Sequence, residues 1–332
     1  MKYTVTLLAV IVSATLLHAQ QKSFSIHEIS LPPELSYYDN QFSGLQIAGG
    51  YLYLMSESRL EDKQEAKLYA IKLTDIDIKL HDTAFILPYK KIPVAGLEKL
   101  RDAMKENEQE YEGLEAFVID GNNVYFSVET STPSANCYLL KGKMTDGIVQ
   151  LEPTLTPVRK PRKPDGSAIY NGGFESMMLF KKRIVAFFEY NYFENNFAYC
   201  YKTSLNKRSA DSISIDRLPF RITDITPAGN QHFTAINFFF KGEWGDTVYR
   251  VPATDTAVNA LIKNGDIYHD YCRLIDIEYS QHHFSWKPLF TIPPEYTGVN
   301  WEGIAAYKQG YFLVNDKYTL KRPYYSALLY LK

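Results

Sequence analysis

The chain has 332 residues, a formal net charge of −2 and three cysteines. A net charge so close to zero does not indicate nucleic acid or another polyanion as a partner, and three cysteines are too few for a disulfide framework. Length alone would suggest about two domains, but the internal repeats described below favour one.

The first 19 residues have the features of a secretory signal peptide. Met1-Lys2 precedes an apolar stretch from Thr6 to Leu17, and Ala19 offers a cleavage point. A membrane anchor is the less favoured alternative, because the stretch is short for a bilayer. We therefore expect residues 20–332 to form a single exported domain, secreted or periplasmic, that is monomeric and has no membrane span after cleavage.

A hairpin-sized pattern recurs five times along this domain. Each copy opens on a polar residue behind an aromatic residue or Thr, and a turn and a second apolar run follow. The opening residues are Ser43, Glu112, Glu175, Asp224 and Glu302, and the second runs close on Glu57, Glu129, Glu189, Asn237 and Asp316. The interval is 14 residues in copies one, three and five, 13 in copy four and 17 in copy two. Repetition at this scale predicts a stack or ring of similar sheets.

Further apolar runs extend each repeat beyond a hairpin. A third run with a central Tyr lies at 67–71, 136–140, 197–201, 247–251 and 327–331, and a fourth lies around 83–87, 148–155, 212–218 and 284–292. The fifth copy ends at Lys332 without a fourth run, and the alternating segment from Ser23 to Leu31 can supply it by pairing with residues 324–332.

These patterns predict an all-β fold, a β-propeller of five four-stranded blades in which the N-terminal strand closes the last blade. A sixth blade hidden between Ala253 and Ile292 is the alternative. Helical patterns at 97–109 and 256–263 indicate insertions on loops.

In a propeller the opening residues converge on one mouth of the central channel. Carboxylates held close together raise the cost of each other's ionisation and need a counter-charge. Because the repeat positions offer oxygen donors and no His or Cys, they favour a hard cation, calcium rather than magnesium. We expect a Ca²⁺ site formed by Glu112, Glu175, Asp224 and Glu302. The alternative is that these side chains cap turns or bond the backbone of a neighbouring blade.

Two further groups of residues are candidates for hydrolysis at this mouth. Glu189 and Glu129, which close second strands, are candidate general bases. A cationic loop before the third copy is a candidate for binding a phosphate or carboxylate of a substrate, although such loops are more often only solvated. Its basic residues are Arg159, Lys160, Arg162 and Lys163.

Three segments of the chain resemble the propeller family described as the esterase-like activity of phytase family. They are Phe174-Glu175-Ser176-Met177, residues 222–227, and residues 300–305 with Asn315-Asp316. The Glu-Gly arrangement is also similar, more distantly, to calcium-activated apyrases and lactone-hydrolysing propellers, although the Arg-rich apyrase signatures are absent. The resemblance implies an exported propeller with calcium-linked phosphoester or ester hydrolysis.

The sequence as a whole predicts a calcium-dependent hydrolase that acts on a phosphorylated or ester-bearing small molecule. The cation would act as a Lewis acid on bound water, and no Ser-His-Asp set or nucleophile elbow is visible. One alternative is a non-catalytic propeller that binds a glycan, peptide or envelope partner with a structural calcium. A lactonase-like propeller is the other.

Overall fold

Five four-stranded antiparallel sheets form the blades of a ring. The structure is a computed structural model that describes residues 23–57, 65–205, 211–241, 249–316 and 324–332. The innermost strand of each blade contacts the innermost strands of both neighbouring blades, so the ring is closed. The predicted five-bladed propeller is therefore confirmed.

The first two blades follow one strand at the N-terminus, β1 (Ile26–Ile29). Blade one consists of β2 (Phe42–Ala48), β3 (Tyr51–Ser56), β4 (Lys67–Lys72) and β5 (Tyr89–Ala95). Blade two consists of β6 (Tyr111–Asp120), β7 (Asn123–Thr130), β8 (Asn136–Thr145) and β9 (Ile148–Leu151), and β10 (Thr156–Arg159) pairs with β8.

The remaining strands form three further blades. Blade three consists of β11 (Ser176–Phe180), β12 (Arg183–Phe187), β14 (Asn196–Lys202) and β15 (Asp211–Ile215), with the short β13 (Tyr190–Asn191) pairing to blade four. Blade four consists of β16 (Leu218–Gly229), β17 (His232–Phe239), β20 (Tyr271–Ser280) and β21 (His283–Thr291). The small hairpin of β18 (Lys263–Asn264) and β19 (Ile267–Tyr268) precedes β20. Blade five consists of β22 (Trp301–Tyr307), β23 (Gly310–Asn315), β24 (Leu328–Leu331) and β1.

The N-terminal strand closes the ring as predicted. β1 pairs antiparallel with β24, in a register that runs from Ile26 opposite Leu331 to Ile29 opposite Leu328. Beyond the strand, Ser25 and Lys332 exchange backbone hydrogen bonds of 2.8 and 2.9 Å. This pairing covers the edge that β24 would otherwise expose.

Helices occupy the connections between strands. They are α1 (Pro33–Ser36), α2 (Leu73–His81), α3 (Leu97–Glu106) and α4 (Thr256–Ile262), and short 3₁₀ turns span 38–40 and 294–296. The last two α-helices confirm both helical patterns. No helix in the described part of the chain is long and apolar enough to cross a membrane. Cys137, Cys200 and Cys272 are buried free thiols.

Two strand assignments from the sequence are wrong. In copy four the third strand is β20 and not 247–251, because the chain from Tyr249 onward runs through a loop into α4; residues 247 and 248 lie outside the described residues. The stretch from Ala253 to Ile292 therefore completes blade four with β20 and β21 and forms no sixth blade. In copy one the fourth strand is β5, because α2 precedes it and packs its Ile76 into the core.

Candidate functional site

A cavity of about 250 Å³ lies where all five blades contribute to one mouth of the channel. Its lining includes carboxylates from all five blades, one arginine and several aromatic rings. The carboxylates are Glu57, Glu115, Glu129, Glu175, Glu302, Asp316 and Asp270. Arg221 is the basic side chain among the described lining residues.

β-Bulges decide which residue opens the repeat in the inner strands of blades one, two, four and five. Strand pairing shifts by one residue between Phe42 and Gly44 and between Trp301 and Gly303, and similar shifts occur in β6 and β16. A bulge re-aims the extra side chain. The equivalent bulged residues of blades two and four are Glu115 and Thr223. The interval of 14 therefore holds in blades one, two, three and five, whereas a second bulge in β16, between Pro227 and Gly229, puts Phe238 at the closing position of blade four, 15 residues after Thr223.

This alignment corrects two of the four predicted metal ligands. Glu112 lies in an additional bulge of β6, between Tyr111 and Gly113, and does not line the cavity, whereas Glu115 does. Asp224 follows the bulged Thr223 by one residue and is likewise absent from the lining. Glu175 and Glu302 are the predicted ligands that the structure brings together in the cavity.

Asp224 joins three blades through its carboxylate. Its Oδ2 accepts the backbone N–H of Ile304 at 2.7 Å and that of Leu45 at 3.2 Å, and its Oδ1 accepts the N–H of Ile225 at 2.8 Å. Burial raises the pKa of Asp224, and the three N–H donors act in the opposite direction. These contacts match the alternative in which the acid bonds the backbone of neighbouring blades.

Arg221 supplies a positive charge to the carboxylates at this mouth. One terminal nitrogen lies 3.6 Å from Glu175 and 3.8 Å from Glu189, and the other lies 3.8 Å from Glu302. The second nitrogen also donates to the side-chain oxygen of Asn300 at 2.9 Å. The preceding residue, Phe220, has a φ of +72°, an uncommon conformation for a bulky side chain, which its burial against Phe239 and Tyr271 helps to hold.

Glu189 lies behind the lining of the cavity, next to Glu175, and the two carboxyl groups interact. Glu189 is fully buried, and it accepts hydrogen bonds from the Gly173 N–H at 3.0 Å and the Tyr249 hydroxyl at 2.8 Å. Burial raises the pKa of Glu189 to about 7, against the attraction of Arg221. Burial also raises the pKa of Glu175, and a hydrogen bond from Glu175 to Glu189 adds to this rise. Both carboxyl groups of this pair therefore have raised pKa values.

Asn300 organises the acidic pair of blade five. Its amide group donates to Glu302 at 2.5 Å and to Asp316 at 3.2 Å. Burial and the nearby charges of Asp316 and Glu175 raise the pKa of Glu302, whereas Arg221 lowers it. The Glu302 carboxyl group therefore has a raised pKa overall, and the Asn300 amide and the Arg221 guanidinium hold it in position.

A third acidic group lies where blades one and two meet. Glu57 follows β3 and Glu115 lies in β6, and both side chains pack over the backbone of Gly113. A Cβ atom at Gly113 would lie 2.7 Å from Glu115 Oε1 and 3.0 Å from Glu57 Oε1, so the glycine allows this close approach. Burial, followed by the charge of Glu57, raises the pKa of Glu115.

Of the other predicted site residues, the two candidate bases and the four basic loop residues, only Glu129 lines the cavity. Glu129 lines the cavity, whereas the second candidate base, Glu189, lies behind its lining. None of the four basic loop residues lines the cavity: the Lys160 ammonium donates to the Thr130 carbonyl at 2.5 Å, and Arg162 donates to the carbonyl of Gly166. The loop instead leads to Tyr170 and Asn171, which do line it. Arg159 and Lys163 belong to the same outer segment.

Among the described residues, no group of three or more His, Cys, Asp or Glu side chains is arranged to hold a metal ion. The predicted calcium site therefore stays a prediction for a binding measurement to test.

The fold is similar to that of solved glycosidases. A GH43 β-1,3-galactosidase matches with a TM-score of 0.52 at 8% identity, over 91% of this chain and 60% of that chain. A GH43_1 enzyme from Xanthomonas citri matches with a TM-score of 0.46 at 9% identity, over 92% and 90% of the two chains. An α-L-arabinofuranosidase from Clostridium thermocellum matches with a TM-score of 0.43 at 10% identity, over 82% and 81%.

At such low identity the likeness to the galactosidase shows the fold alone. No protein-family model matches the sequence, and no curated protein matches it. The predicted resemblance to the esterase-like activity of phytase family and to apyrases is wrong: no family model matches the sequence, and the similar solved structure with a TM-score above 0.5 is a GH43 enzyme. What the comparisons share with this chain is the propeller ring.

Proposed function

We propose that this protein is a glycoside hydrolase whose catalytic pair is Glu175 and Glu302. The observation that carries the proposal is that both carboxyl groups line one cavity and contact the same guanidinium, that of Arg221, within 4 Å. Two carboxyl groups that flank one bond are the usual requirement for glycoside hydrolysis. The fold of the GH43 β-1,3-galactosidase supports the same class of reaction.

We assign the role of general acid to Glu175. Its pKa is raised by burial and by the neighbouring Glu189, and it donates a proton to the oxygen of the leaving group as the glycosidic bond breaks. Glu302, held by Asn300 and Arg221, accepts a proton from the water that attacks the anomeric carbon. The water oxygen forms the new bond to carbon, and the leaving group departs as an alcohol. Glu129, the base predicted from the sequence, lines the same cavity and is a candidate for the second carboxylate.

A sugar fits this cavity better than a phosphoester does. The lining is rich in carboxylates, and the predicted phosphate-binding residues of the basic loop lie outside it. A phosphorylated substrate would therefore meet like charge unless a cation intervened. The rings of Tyr170, Tyr249, Phe238 and Phe240 offer apolar surface for the face of a sugar ring.

Two aryl substrates with different leaving groups test the assignment. We expect Glu175→Gln to lower turnover of a 4-methoxyphenyl glycoside by about 10²–10⁴-fold, the usual contribution of a general acid, and to spare a 2,4-dinitrophenyl glycoside, which needs no protonation. Glu302→Gln should impair both. Galactosides, xylosides, arabinofuranosides and glycosides of amino sugars form the sugar panel, and Glu278→Gln, at an exposed position of β20, is the matched control.

The result that would overturn the proposal is absence of turnover across the panel by folded wild-type protein. Saccharide binding without turnover would favour the non-catalytic propeller expected as an alternative. Turnover that requires added calcium would support the predicted calcium site. Export to the periplasm or medium, also predicted from the sequence, would place the enzyme where it meets external glycans.

A further inference from the structure

The acidic group at blades one and two remains unused by the proposed chemistry. Arg221 is engaged by Glu175, Glu189, Glu302 and Asn300, on the side of blades three to five. Among the described lining residues no other Lys or Arg faces the cavity. Arg101, on α3, stacks on the Tyr111 ring at 4.2 Å and does not line it.

Within this group, Glu115 has a carboxyl oxygen that lacks a donor in the described part of the chain. The residue is 7% exposed and lines the cavity, yet its Oε1 atom has no hydrogen-bond partner among the described residues. A buried carboxyl oxygen without a partner loses the hydrogen bonds that water would give it. The Glu115 Oε1 atom lies close to the Glu57 side chain, because Gly113 has no side chain that would separate them. A ligand that carries donors and positive charge would satisfy it.

We propose that the substrate carries a protonated amine and that Glu115 and Glu57 bind its ammonium group. Resting on the proposed function, this inference identifies the substrate class as an amino sugar with a free amine. An ammonium has three donors and no acceptor, which matches a group of acceptors. Its positive charge would offset the repulsion that Glu57 and Glu129 exert on Glu115.

A metal ion is the competing occupant of this position. It would need several converging oxygen ligands, whereas no group of three or more acidic, His or Cys side chains in the described part of the chain is arranged in that way. An ammonium needs only one or two acceptors at hydrogen-bond distance. The geometry therefore favours the amine.

Binding of unreactive monosaccharides tests the inference separately from hydrolysis. Titration calorimetry at pH 7 would compare galactosamine and glucosamine with their N-acetyl forms and with galactose and glucose, alongside calcium chloride. We expect the free amines to bind at least tenfold more tightly than the N-acetyl and hydroxyl forms. Glu115→Gln should erase that difference, and Glu57→Gln should reduce it, whereas Glu278→Gln should leave it unchanged. Circular dichroism and the melting temperature would establish that each variant is folded.

Equal binding of amine and N-acetyl forms would overturn the inference, as would a preference that survives both substitutions in folded protein. Calcium binding without any preference for amines would assign the position to a metal instead. Failure of every monosaccharide to bind would also overturn it, while turnover of neutral aryl glycosides in the same preparation would leave the proposed hydrolase intact.

Discussion

Replacing Asp224 with asparagine should destabilise the ring without touching the cavity. The carboxylate accepts three backbone N–H groups, from Leu45, Ile225 and Ile304, so it links blades one, four and five. An asparagine side chain has one oxygen, so its NH₂ group would face at least one of these donors. A buried donor left without an acceptor costs about 1–3 kcal/mol, and loss of the charge weakens the remaining bonds.

We expect a total loss of about 3 kcal/mol in the free energy of unfolding. At roughly 2 °C per kcal/mol for a chain of this size, the melting temperature should fall by about 6 °C. Differential scanning calorimetry and urea unfolding would measure both quantities. Asp146→Asn, at an exposed turn, is the matched control and should change neither. A fall of less than about 1 °C for Asp224→Asn would refute the argument that this carboxylate joins the blades.

Three other substitutions or additions have defined outcomes. Arg221→Met should lower the free energy of unfolding by about 3–5 kcal/mol in urea titrations, because it leaves buried carboxylates without their counter-charge; an unchanged midpoint would contradict this. The pKa of Glu189 in the folded protein is about 7, above its usual 4.5, so the folded state binds this proton more tightly than the unfolded state does. The resulting contribution to the free energy of unfolding is complete below pH 4.5 and is lost as pH rises through 7. The stability of wild type relative to Glu189→Gln should therefore decline by on the order of 3 kcal/mol over that window, and a constant difference would contradict the pKa. If calcium binds as predicted, a calcium concentration 100 times its Kd should stabilise the folded state by about 2.7 kcal/mol relative to protein treated with a chelator. An unchanged melting temperature would contradict the predicted calcium site.

The architecture was predictable because its signals are local and repeated. Alternation with period two marks strands in each copy, and the lone strand at the N-terminus matches the strand that copy five lacks. Blade four was harder to assign, because its third strand lies beyond α4 and the β18–β19 hairpin. The apolar run near Tyr249 imitates a strand, but its position relative to β17 is set by tertiary packing.

The site was only partly predictable, and the error has a physical origin. Glu112-Gly113 has the same letters as Glu302-Gly303, but the additional bulge in β6 moves the equivalent position to Glu115. The interval of 14 residues to the closing residue, which holds in blades one, two, three and five, was the available signal, and it selects Glu115 over Glu112. Arg221 was harder to assign, because a counter-charge is recognised by its distance to several carboxylates and not by any repeat.

Closure of the last blade by β1 and β24 makes the two ends of the described chain neighbours. A short linker from Lys332 to Ser23 would therefore convert the fold into a covalent circle with every strand pair retained. Opening that circle at the exposed Gly49-Gly50 turn of blade one would give a circular permutant in which blade five is a single continuous segment of sequence. Residues that now meet across a separation of 307 positions would then be local, whereas the pairing of β2 with β3 would become the long-range contact. In such a ring, the position of the chain ends decides which blade is built from strands that are far apart in sequence.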